Sequence, residues 1–132
     1  MTTSDLPAEG QPDVSTEGTE APFDDVITLS TSTDEDGVVT VTVIGEVDTF
    51  TAPVLRSTLD SQLEQQPGEL VIDLSGVQFL GSAGLAVLVE TQKASRSRDV
   101  GLRLIATTRA VTRPLEVTGL IDLFTIADSN AR

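Results

Sequence analysis

From Val26 onwards the chain shows two alternating apolar patterns. Val38 to Ile44 reads VVTVTVI, with valine and threonine taking turns as a half-buried strand requires. Val26 to Thr31 (VITLST) predicts a strand before it, and Asp36-Gly37 between the two is a hairpin signal. Leu55, Leu59 and Leu63 then recur every fourth residue, which is one buried stripe on a helix. GEVDTFTAP (residues 45–53) is read as the loop that opens this helix. Thr51 or Ala52 is the expected cap, and Pro53 sits near the first helical position, where a missing N–H costs nothing. The helix is expected to run to about Gln65, and Pro67-Gly68 stops it.

Leu70 to Leu74 (LVIDL) is a short, nearly continuous apolar run, the pattern of a central strand covered on both faces. A helix is predicted from about Ala83 to Arg96, with SRSRD (residues 95–99) as its polar exit. GLRLIAT (residues 101–107) predicts another strand. A third helix is expected over residues 111–118, with Gly119 as the residue just past its end. Pro114 falls inside that helix, where proline costs about 3 kcal/mol, so a late start near Arg113 or a kink is expected. Leu123 to Ile126 reads as a final short strand, and no internal repeat is evident. Strands and helices alternate after the opening hairpin. The order predicts an α/β fold: a mixed, largely parallel sheet packed with about three to four helices.

Residues 1–25 break the pattern. They are rich in Thr, Ser, Glu, Asp, Gly and Pro and poor in large apolar residues, so alone they cannot offset their own ordering entropy. The expectation is a disordered acidic tail over 1–25 and a single domain over 26–128. The net charge of −13 is uneven: residues 1–36 hold 10 acidic residues and no Lys or Arg, while residues 37–132 hold 11 acidic and 8 basic. Direct nucleic-acid binding, which needs a basic surface, is therefore not expected.

Missing residue types exclude whole classes of chemistry. There is no cysteine, so disulfides, thiolate metal sites and cysteine nucleophiles are out. There is no histidine, the commonest general base and metal ligand. Aromatics are only 3%, without Trp or Tyr, so the core must be aliphatic. No apolar run nears the ~20 residues of a membrane span, and the N-terminus lacks the basic start and apolar stretch of a secretory signal. A cytoplasmic protein is expected, with no membrane partner, no cofactor, no metal and no catalytic residue.

One stretch remains to be explained: FLGSAGLAVL (residues 79–88), with Ser82 between Gly81 and Gly84. A hydrolase elbow reads G-x-S-x-G; here position 80 is Leu, and no histidine exists to take the proton. Lys93, the only lysine, lies about three turns along the following helix. The phosphate loop G-x-x-x-x-G-K-[ST] is absent as well. Two readings stay open. Ser82 is an N-cap whose Oγ accepts from a first-turn N–H, or it is also a phosphorylation site, because a helix N-terminus tolerates a phosphate.

Four segments in order resemble the STAS domain of the anti-sigma factor antagonist family. VTVIGEVDTFTAPVLRSTL (residues 41–59) is similar to the family's strand, G-E-[LIV]-D loop and first helix. LVIDLSGVQFLGSAGLAVLV (residues 70–89) is similar to its signature, in which a serine or threonine opens the second helix before G-L. LRLIATTRAV (residues 102–111) and VTRPLEVTGLIDLFTI (residues 111–126) resemble the later strand and the closing pattern. The resemblance implies a non-enzymatic, monomeric regulator. Its unphosphorylated form binds an anti-sigma factor, often itself a serine kinase, and so frees a sigma factor for transcription. Phosphorylation of the serine at the second helix, by position Ser82, switches binding off, and a serine phosphatase restores it.

By the same resemblance Asp48, Thr49, Thr51, Gly81, Ser82, Ala83 and Gly84 are the partner-binding positions. Asp48 can equally be a turn or cap aspartate, and Asp73 is read as structural. Many members carry aspartate before the phosphorylated residue; here it is Gly81, and Ala83 leaves Ser82 as the motif's sole hydroxyl. The alternative use of such a module is as a scaffold in a larger signalling assembly or as a small-molecule sensor, the latter expected to show an apolar, ligand-sized cavity.

Overall fold

The computed structural model describes residues 27–128. The tail and Val26 lie outside the described residues. Strands β1 (Ile27–Thr33) and β2 (Val38–Val47) form a hairpin; α1 (Ala52–Glu64), β3 (Glu69–Leu80), α2 (Ser82–Ser97), β4 (Gly101–Ile105) and α3 (Arg109–Val117) follow. A short 3-10 turn (Leu120–Leu123) leads to β5 (Thr125–Ala127). The sheet order is β1-β2-β3-β4-β5; β1 is antiparallel to β2 and the other pairs are parallel. The element order read from the sequence is therefore the one observed, with three α-helices.

Each parallel crossover steps to the next strand in the same direction. Right-handed connections then carry all three helices to one face of the sheet. The main core lies between: Val39, Val41 and Val43 of β2, Leu70, Ile72 and Leu74 of β3, and Leu104 of β4 meet Leu55, Leu59 and Leu63 of α1, Val87 and Leu88 of α2, and Val111 and Leu115 of α3. The Leu55-Leu59-Leu63 stripe is fully buried, and the core is aliphatic apart from Phe124. On the opposite face Val38, Val71 and Ile105 form a separate small cluster with no helical residue in it.

Several boundaries differ from expectation. Strand β2 runs on through Gly45, Glu46 and Val47, which reads as loop in the sequence. Strand β3 is 12 residues long and not five. The β2–β3 register shifts twice there, between Thr42 and Ile44 and between Gly45 and Glu46, so bulges break the period-two pattern that would reveal a strand. Gly45 holds φ 115°, open to glycine alone without strain. Asp73, read as closing its strand, is instead the last β3 residue paired with β4; its Oδ1 accepts from the backbone N–H (3.0 Å) and hydroxyl (2.6 Å) of Ser75, so its role is structural.

Helix α3 starts early, at Arg109, with Pro114 truly inside it. Proline there removes one helical N–H, and burial of Val111 and Leu115 on the same helix offsets that loss. Gly119 adopts φ 77° past its end, as expected of a C′ residue.

Leu59→Ala removes a fully buried side chain from the centre of the helical layer. It should cost about 2–5 kcal/mol in urea unfolding, whereas Val117→Ala at an exposed position should change stability by less than about 0.5 kcal/mol.

Candidate functional site

Strands β2 and β3 end side by side, and their last residues bring two segments together. Val47 pairs with Leu80, and the backbone N–H of Gly81 donates to the carbonyl of Val47 at 2.9 Å. The next residue on one strand is Asp48, which starts the loop into α1. On the other, Gly81 follows Leu80 and Ser82 then starts α2. Two helix starts therefore share one rim of the sheet, at the carboxyl ends of its parallel strands.

The Asp48 loop is fixed by a small hydrogen-bond set. The Asp48 carboxylate Oδ1 accepts from the backbone N–H of Phe50 (2.9 Å) and of Thr51 (3.0 Å). The Thr51 hydroxyl donates to the Glu46 carbonyl (2.7 Å) and accepts from the Asp48 N–H (2.9 Å). Such side-chain bonds hold the turn where no ladder can, and a carboxylate at the start of α1 complements the helix dipole. Of the two readings of Asp48, the turn role is the one these bonds describe. The residue is also half-exposed, so it contributes surface as well.

Thr51 and Gly84, both named as partner-binding positions by resemblance, are buried. Thr51 is only 5% exposed, with its hydroxyl turned into the loop. Gly84 is buried because a Cβ there would lie 2.6 Å from Cγ1 of Val47 and 2.7 Å from Cδ1 of Leu80. It lets α2 settle onto the strand ends. Thr49 and Ser82 are exposed, and Gly81 and Ala83 are half-buried.

Ser82 is the first helical residue, and the N-cap is Gly81 in extended backbone with no side-chain capping bond. The expectation that the Ser82 hydroxyl caps the helix is thereby corrected. The first intrahelical bond runs from Leu85 N–H to the Gly81 carbonyl at 3.0 Å, which leaves the N–H groups of Ser82, Ala83 and Gly84 ahead of it. No acidic residue occupies the first turn. The electrostatics at Ser82 favour an anion.

Four residues at this rim escape a sequence reading. Among the large apolar side chains that are exposed, Phe50 (78%), Val54 (50%), Phe79 (51%) and Ile44 (49%) belong to the ends of β2 and β3 or to the loop and helix start beside them. Two of the chain's four phenylalanines are thus at the surface, Phe79 beside Gly81 and Phe50 in the loop that follows Val47. The Phe79 ring packs over Gly81, where a Cβ would come within 3.0 Å of its Cε2. Glycine in place of aspartate therefore makes room for an aromatic ring next to the serine. Periodicity assigns isolated phenylalanines to a core; only exposure in the fold marks them as surface.

The helices that border the rim are tied by Arg56 on α1 and Glu90 on α2, with Nε to Oε1 at 2.9 Å and Nη2 to Oε2 at 3.3 Å. Both are well exposed, so the pair contributes at most about 1 kcal/mol. The outer side of α1 carries an open depression of about 410 Å³ lined by Pro53, Arg56, Ser57, Asp60, Ser61 and Glu64. Among the described residues no group of three or more His, Cys, Asp or Glu side chains is placed to hold a metal ion. No described helix is long and apolar enough to cross a membrane.

Comparison with known proteins bears on the same region. The STAS domain model matches residues 30–131. The anti-sigma-F factor antagonist RsfB of Mycobacterium tuberculosis is 37% identical over 101 residues, 76% of this chain and 80% of that protein. The anti-sigma-B factor antagonist of Staphylococcus aureus is 32% identical over 92 residues, 70% of this chain and 85% of that one. Among solved structures, that of an anti-sigma factor antagonist from Mycobacterium paratuberculosis superposes with a TM-score of 0.72 at 37% identity, covering 85% of this chain and 92% of the other.

Thr51→Val keeps the shape and removes the hydroxyl, which leaves the Asp48 N–H and Glu46 carbonyl without that partner. Chemical denaturation should show a loss of about 1–3 kcal/mol. An unchanged midpoint would mean that the loop is held by other contacts.

Proposed function

The chain belongs to the STAS domain family, and on that premise we propose that it is an anti-sigma factor antagonist whose partner surface is the rim around Ser82. Its unphosphorylated form binds an anti-sigma factor and withholds it from a sigma factor, so that transcription by that sigma factor proceeds. The anti-sigma factor is a serine kinase that phosphorylates Ser82, and a serine phosphatase reverses the step. The protein acts as a cytoplasmic monomer and performs no catalysis of its own.

The observation that carries this reading is the exposed Ser82 one residue after Gly81, over which the Phe79 ring packs, at the strand end where the loop and helix start carrying exposed Phe50 and Val54 also begin. Apolar side chains gathered at one end of a small domain are the makings of an interface core, and aromatic residues are enriched in such cores. A neutral hydroxyl at its centre is compatible with desolvation. A phosphoserine brings about −1.5 to −2 charges at pH 7. The start of α2 accommodates that charge in the free domain, so folding is preserved. In the complex, the same charge must be buried against a surface shaped for a hydroxyl. An unpaired buried charge costs several kcal/mol, and each 1.4 kcal/mol is tenfold in affinity. The rim residues Asp48 and Thr49 complete the surface, while Thr51 and Gly84 support it from beneath.

Binding of the cognate anti-sigma factor, measured by calorimetry, should be retained by Ser82→Ala and weakened more than tenfold by Ser82→Glu, with equal unfolding midpoints for both variants. Equal affinities would sink the switch. Phe50→Ala should also weaken binding at least tenfold while leaving stability within about 0.5 kcal/mol, since the side chain is 78% exposed. A Phe50 variant that binds as tightly as the parent would move the interface elsewhere.

A further inference from the structure

The outer face of the sheet, opposite the helices, is closed at one end and open at the other. Val38, Val71 and Ile105 are buried there. Towards the Ser82 rim the same face exposes Ile44 to 49% and Phe79 to 51%. Strand alternation fixes their direction. Val43 and Val47 of β2 and Leu80 of β3 belong to the main core, so Ile44, Glu46 and Phe79 turn the other way. Register sets Phe79 opposite Glu46, which is two residues beyond Ile44. Ile44 and Phe79 are thus diagonal neighbours, one strand spacing and two residue rises apart, roughly 8 Å between their backbones.

Both side chains lie on glycine. A Cβ at residue 76 would come 2.9 Å from Cγ1 of Ile44, and one at residue 81 would come 3.0 Å from Cε2 of Phe79. The missing Cβ atoms let the isoleucine and the ring rest against the backbone of β3 and of the α2 cap. The result is a low apolar strip whose side chains are held in place before anything binds, which lowers the ordering cost of association. Thr28 of β1, the register partner of Ile44, is exposed at the edge of the strip.

Continuity and size identify the occupant. The Phe79 ring borders both the strip and Gly81, the residue before Ser82, so a body that covers Ser82 meets the ring. A standard interface takes about 800 Å² from each partner, a patch roughly 30 Å across. Ile44 is level with Gly76, six residues before Ser82, and so lies roughly 20 Å from the serine, inside that width. A second copy of the chain fits poorly. Two-fold pairing through the strip would bring Glu46 towards its own counterpart, and each copy carries a net charge of −13.

We propose that the Ile44–Phe79 strip is a second half of the partner surface, taken by apolar side chains of the same protein partner that covers Ser82. The inference rests on the function proposed above and extends its interface from the rim onto the outer face of the sheet. The rim reads the charge state of residue 82, and the strip discriminates among partners by apolar fit.

The test is titration of the cognate anti-sigma factor into variants of the full chain. Ile44→Thr keeps the β-branched shape and removes apolar surface, so it should weaken binding at least fivefold with an unfolding midpoint close to the parent's. Parent-like affinity in the folded variant would overturn the proposal. The absence of cysteine gives a second readout that leaves Ile44 intact. Thr28→Cys should react with a maleimide at least fivefold more slowly when the partner is bound, while Ser97→Cys at the far end of α2 reacts equally in both states. Equal rates at residue 28 would also overturn it. Ser82→Glu in the same series separates this inference from the switch. A loss with Ser82→Glu but not with Ile44→Thr removes the strip alone. A loss with Ile44→Thr but not with Ser82→Glu keeps the strip and removes the switch.

Discussion

The candidate site exists because two backbones come together at the end of the sheet. The Gly81 amide reaches the Val47 carbonyl, and Gly84 lets α2 sit directly on the Val47 and Leu80 side chains. A Cβ at residue 84 would collide with both. Without that close approach, Ser82 and the Asp48 loop would belong to separate surfaces. With it, one rim carries an exposed hydroxyl, free helix N–H groups and a loop pinned by Asp48 and Thr51. Glycine at 84 is therefore a packing residue that lets α2 start against the strand ends.

In the proposed function, this arrangement would let a change of charge act on binding without acting on the fold. The Ser82 side chain makes no capping bond, so a phosphate there breaks none. The N–H groups ahead of the first helical bond already favour an anion. In the proposed complex the cost of the charge would fall on the interface, where Phe79 would have to be desolvated near it. The Phe79 ring over Gly81 places apolar surface immediately next to the serine, which strengthens the contrast between the two charge states at the interface.

Much of the fold could be read from pattern alone, because pattern and burial coincide there. Leu55, Leu59 and Leu63 are as buried as their spacing implies, and the valine-threonine alternation of β2 places Val39, Val41 and Val43 in the core. The second half of β3 escaped because two register shifts destroy the alternation along Gly76, Val77, Gln78 and Phe79. Pro114 argued against a helix start at Arg109, yet tertiary burial of Val111 and Leu115 outweighs the lost N–H. Within the candidate site, motif spacing sets Ser82 at a helix start, and α2 does begin there. The inward turn of Thr51, the burial of Gly84 and the exposure of Phe50 and Phe79 depend on which segments meet in space, and no local pattern encodes that.

The most direct test of the account is to recover the protein from its native cells with its bound partners and to weigh it intact. The account predicts that the unmodified chain carries an anti-sigma factor, and that the species bearing one phosphoryl group, mapped to Ser82, carries none. An anti-sigma factor retained equally by both species, or a phosphoryl group mapped to another residue, would contradict it.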